Sequence, residues 1–237
     1  AATTTTAAAT TTTAAATTTT VAATTTTTTT AGAPGTDPGD VTWETPTSVY
    51  DLGDATVLTD ADGTLVTAES YGSDGGTYEV NGVTFTGVGY RANFDKDSAG
   101  AMGQGWQYID WGDDLTPAFS NLLNGTSGRN PAATPTTITL DGLESGKSYI
   151  AQFFIGDQRE AADDGNPNGR YLDGNWKITG GANTSSAVWI MPIHSFVGTW
   201  VADGTSQDFT ITNTDGAKTL NSLLNAVQWR EVLPLGG

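Results

Sequence analysis

The sequence predicts an all-β fold: a jelly-roll β-sandwich of two antiparallel sheets, preceded by an extended N-terminal Thr/Ala-rich arm and carrying one short helix. Three observations carry the prediction. Short alternating runs rich in β-branched and aromatic residues recur after residue 60. Each run is bounded by Gly, Asp or Asn. The composition also changes abruptly near residue 37, before which there is no charged residue.

The arm opens "AATTTTAAAT TTTAAATTTT VAATTTTTTT", thirty residues with nothing bulkier than Val21. Ordering its backbone costs roughly 1–2 kcal/mol per residue, and side chains this small bury too little area to offset that by folding on themselves. Order must come from a partner, and the sequence points to another copy of the chain. Nineteen threonines at roughly 0.6 kcal/mol each below alanine disfavour a helix by about 11 kcal/mol, so the arm is read as extended. Its seven-residue TTTTAAA period sends equivalent residues to alternate faces of a strand. Binding would therefore rest on main-chain hydrogen bonds to a sheet edge, with Thr17, Thr18, Thr19, Thr20, Val21, Thr24 and Thr26 as assembly residues. A second reading makes the hydroxyls, Thr24 and Thr25 among them, carriers of O-glycans on a stalk. "AGAPGTDPGD" (31–40) is turn-rich and joins arm to domain. The chain thus divides into 1–40, arm and linker, and 41–237, sandwich.

Within the sandwich, strands are predicted at 64–72, 77–87, 136–143, 148–157, 196–203, 207–214 and 222–232. In "YEVNGVTF" the Asn81-Gly82 pair predicts a two-residue hairpin turn, because both positions need φ > 0. The helix is "LTPAFSNLLNG": Thr116 caps, Pro117 takes the first turn, Phe119, Leu122 and Leu123 share a face, and Gly125 ends it. It is expected to close an edge or one end of the sandwich.

The runs "VNGVTFTG" (80–87), "TITLDGLESGKSYIAQFFIGDQR" (137–159), "VGTWVADGTSQDFTIT" (197–212) and "LNAVQWREV" (224–232) resemble extracellular jelly-roll modules of planctomycete-type surface proteins. The closing strand is similar to that of malectin-like and carbohydrate-binding sandwiches. Arm and sandwich together resemble protomers of environmental extracellular fibrils. The resemblance implies an extracellular, cell-surface structural protein and supplies no catalytic residue.

A net charge of −17 with nine Lys and Arg disfavours nucleic acid, which needs clustered basic residues. No apolar run approaches eighteen residues, so no membrane span is expected. The chain begins at Ala with no signal-like segment, and any export signal is expected to have been removed.

Catalysis has little to draw on. The single histidine, His194, lies between Pro and an aromatic strand, and no G-x-S-x-G occurs. The sequence is read as a non-enzyme. Calcium is the one cofactor suggested. "DDGNPNGRYLDGN" (163–175) sets Asp164, Asn166 and Asn168 at alternate positions before Gly169, with Asp173 as a further oxygen; the other reading is a polar turn. In "GWQYIDWG" (105–112) Trp106, Tyr108 and Asp110 share one strand face that would stack a sugar ring, a neighbouring subunit or the core. Two N-x-[ST] sequons place glycosylation at Asn124 and Asn183. The partners expected are neighbouring copies in a helical fibril, and glycans. The competing function is a carbohydrate-binding adhesion module with a glycosylated Thr-rich stalk.

Overall fold

The computed structural model describes residues 37–71, 74–89, 115–124, 127–128, 135–156, 175–189, 193–214 and 223–232. It is an all-β sandwich of two main sheets. The strands are β1 (Thr42–Trp43), β2 (Thr47–Ser48), β3 (Thr64–Tyr71), β4 (Asp74–Val80), β5 (Val83–Gly89), β6 (Ser127–Gly128), β7 (Thr136–Asp141), β8 (Ser148–Ile155), β9 (Asn175–Gly180), β10 (Asn183–Thr184), β11 (Val188–Trp189), β12 (His194–Val201), β13 (Ser206–Asn213), β14 (Leu223–Leu224) and β15 (Ala226–Val232).

The large sheet runs β1-β12-β8-β15-β3-β5-β4, with β2 also on β12. The small sheet runs β10-β9-β13-β7, with β11 also on β9, and β14 and β6 form a separate pair. One pairing corrects the antiparallel expectation: β3 and β5 are parallel. The chain leaves β3, passes to the outer position as β4, and returns through the Asn81-Gly82 turn as β5 between them. That turn has φ 50° at Asn81 and 76° at Gly82, the left-handed pair the sequence requires.

Each sheet places alternate residues on opposite faces. Tyr149, Ala151, Phe153 and Ile155 of β8, Phe196 and Trp200 of β12, and Val227 and Trp229 of β15 meet Ile138, Leu140, Trp176, Ile178, Phe209 and Ile211 of the small sheet. Phe153 lies with its ring 4.9 Å from that of Phe209 and 6.2 Å from that of Trp43. Gly198 leaves room for this closure, since an added Cβ would fall 2.6 Å from Val41 and 2.9 Å from Trp43.

The other face of the large sheet is also covered, which is why every residue from Tyr149 to Ile155 is buried. Phe154, Ala226, Ala68, Val80, Val83 and Phe85 pack against Val49, Val57, Leu115, Phe119, Leu122, Leu123 and Ile193. The helices responsible are α1 (Val49–Leu52), which runs into a 3-10 turn at Gly53–Thr56, and α2 (Pro117–Asn124). The predicted helix therefore lies on the outer face against β4, alongside a helical turn the sequence did not foretell. Thr116 caps α2: its Oγ1 accepts from Phe119 N–H at 3.3 Å and donates to Asp54 at 2.8 Å. Thr116→Ala is expected to cost about 1 kcal/mol, measured as a lower urea midpoint with unchanged slope.

Candidate functional site at the sheet faces and edges

Most sequence-predicted site residues lie outside the described residues: Asp164, Asn166, Asn168 and Asp173 of the calcium loop, Trp106, Tyr108 and Asp110 of the aromatic strand, and Thr17 to Thr20, Val21, Thr24, Thr25 and Thr26 of the arm. Among the described residues, no group of three or more His, Asp or Glu is placed to hold a metal. Asn124 is the last residue of α2. Asn183 is exposed in β10, at the tip of the β9–β10 hairpin. His194 opens β12 opposite Ile155 and Ser48, half-buried.

The largest polar construction is buried under the 56–63 segment. Gln152 of β8 donates to Thr56 O at 2.6 Å and to Ser195 Oγ at 2.8 Å, and accepts from Leu58 N–H at 3.0 Å and Gln228 Nε2 at 2.8 Å. Gln228 of β15 also donates to Leu58 O and accepts from Arg230 Nε. Arg230, 1% exposed, donates to Asp60 at 2.8 Å and to Gly63 O at 2.9 Å. Ser195, Gln152 and Gln228 sit on the adjacent strands β12, β8 and β15, so the chain is a cross-strand ladder that holds a loop by its backbone. A network with its members satisfied rigidifies a fold. Its buried members hold the 56–63 segment, and at Asp60 it reaches solvent.

Glu44, after β1, has a carboxylate oxygen buried without a hydrogen-bond partner. Burial pushes its carboxyl above the usual carboxylate range, and the Asp62 charge adds to the shift. The folded chain then holds this proton more tightly than the unfolded chain. The stabilisation is complete below the ordinary glutamate value and is lost as pH rises through the raised one. Glu44→Gln should raise the melting temperature at pH 7 and leave it nearly unchanged at pH 4; equal shifts at both would contradict this assignment.

The outer face of the small sheet is polar and regular. Thr184, Thr179, Thr210 and Thr137 are register partners across β10, β9, β13 and β7, with hydroxyl contacts of 2.9 Å between Thr179 and Thr184 and 3.4 Å between Thr137 and Thr210. Among the described residues of stated burial, Leu52 is the exposed large hydrophobic.

The edges differ more than the faces. β1, β2, β10 and β11 are two-residue edge strands, too short to template another chain. β7 pairs with β13, and its Thr139 takes part in further interactions besides its bond to Asp208. β4 is a seven-residue edge strand paired with β5.

No family model matches the chain, and no curated protein does. Among solved structures it is similar to the ANX2 ectodomain from Arabidopsis thaliana, with TM-score 0.51 and 10% identity over 71% of this chain and 42% of that one. It is also similar to the ANXUR2 extracellular domain from Arabidopsis thaliana, with TM-score 0.50 and 10% identity over 70% and 41%. The likeness is one of fold. It agrees with the malectin-like sandwich suggested by the closing strand. The chain spans about two fifths of those ectodomains, and none of its described helices is long and apolar enough to cross a membrane.

Proposed function

We propose that this chain is an extracellular, non-catalytic structural subunit that joins copies of itself into a filament through its N-terminal arm. The supporting observation is where the arm meets the fold. Gly39 N–H bonds Val201 O, and β1 then pairs with the last part of β12 at the edge of the large sheet. The uncharged, β-prone arm precedes a segment that joins a sheet edge, and from there it would add to a neighbour. A head-to-tail contact of this kind gives an open filament when its rotation does not close. In analytical ultracentrifugation, the full chain should sediment as a broad, concentration-dependent polymer and the chain lacking residues 1–36 as a folded monomer. Polymer formed equally by the truncated chain would contradict the proposal.

The second reading is a glycan-binding surface module with a Thr-rich stalk, and the fold shared with an extracellular domain favours it. The aromatic strand at Trp106, Tyr108 and Asp110 would be its platform. A glycan array separates the two: specific retention of the truncated monomer, abolished by Trp106→Ala, would establish binding as the function.

A further inference from the structure

We propose that the acceptor for the arm is the outer edge of β4, and that the arm fills it in a neighbouring copy; this rests on the filament reading above. Two placements lead to it. The chain that follows the arm joins the large sheet as β1, at one end of the strand order, and β4 is the strand at the other end. Six strand spacings separate them, about 29 Å. Donor and acceptor on opposite edges of one sheet make each copy complementary to the next and not to itself by two-fold symmetry, which is the geometry of an open chain.

The backbone of β4 is suited to the role. In a two-residue hairpin the residues flanking the turn form a hydrogen-bonded pair and pairs alternate from there. Val80 with Val83 and Tyr78 with Phe85 therefore use their backbone groups inside the hairpin. Thr77 and Glu79, opposite Thr86 and Thr84, direct theirs outward. Their side chains are exposed. On the opposite face Tyr78 is half-buried at the rim of the outer cluster, as is Ala118 of α2, which packs against β4. An incoming strand centred on Val21 would set Val21 and Ala23 toward that apolar rim and Thr20, Ala22 and Thr24 toward Thr77 and Glu79. Having no charge, the arm also meets no repulsion from Glu79. The two-residue edges are too short for such pairing, and β7 lies in the small sheet, not in the sheet that β1 joins.

The chain has no cysteine, so crosslinks report only introduced pairs. Full-length Ala22→Cys, on the face that meets Glu79, is mixed with full-length Glu79→Cys, or with Thr137→Cys on β7, under mild oxidation. Disulfide-linked heterodimers with Glu79→Cys and none with Thr137→Cys are expected. Glu79→Pro, which removes an outward N–H while sparing the hairpin bonds, should abolish polymer and leave a folded monomer by circular dichroism. Crosslinking to β7 alone, with filaments still lost on removal of the arm, would overturn the β4 assignment and keep the filament reading. Filaments that survive removal of the arm would overturn both. An Ala22→Cys/Glu79→Cys double variant that closes within one chain at high dilution, and stays monomeric on concentration, would show addition in cis and overturn the proposal.

Discussion

Phe153→Ala is expected to lower stability by about 4 kcal/mol. Phe153 is fully buried at the centre of β8, where both sheets meet. Its ring faces Phe209 of the small sheet and Trp43 from the β1 edge, so truncation opens a cavity bounded by both sheets and by β1. The neighbours are strands tied by register and cannot collapse into the gap. In a two-state chemical unfolding experiment the midpoint should fall with the slope preserved. A change below about 1 kcal/mol would mean that the two sheets do not close on each other here.

Gln152→Leu should cost about 3 kcal/mol although leucine matches glutamine closely in size. Gln152 has four hydrogen-bond partners in a site without access to water. Leucine leaves the Leu58 N–H and one donor of Gln228 without their acceptor, and buried orphan groups cost roughly 1–3 kcal/mol each. For a domain of about 200 residues that is a fall of roughly 6–12 °C in melting temperature. The same change should open the 56–63 loop, seen as faster amide exchange at Leu58. A neutral result would mean that this ladder does not hold the loop.

Local chemistry made much of this fold legible. The Asn-Gly turn left one backbone solution between two alternating runs, and "LTPAFSNLLNG" carried cap, first-turn proline and apolar face together. Strands β3, β7, β8, β12, β13 and β15 stand where alternation placed them. The strand 175–180 escaped because "NWKITG" is short and follows a run of turn residues, although Trp176 and Ile178 alternate with polar neighbours. The two-residue strands before residue 50 have no period to read. Burial of the large sheet on both faces was also missed: Gln152 and Gln228 look like solvent-facing positions until the 56–63 segment is seen to cover them. The parallel β3–β5 pair depends on where the chain crosses, which residue pattern does not encode. Of the candidate site residues, Asn183 stands exposed on a hairpin tip, while the calcium loop, the aromatic strand and the arm lie beyond the described residues.

The filament account turns on whether a Thr/Ala arm too small to order itself is ordered by a neighbour. Negative-stain electron microscopy of the purified full chain beside the chain lacking residues 1–36 tests this directly. Long fibres of uniform width from the first and isolated particles from the second are predicted. Isolated particles from both, at concentrations where the full chain remains folded and soluble, would contradict the account.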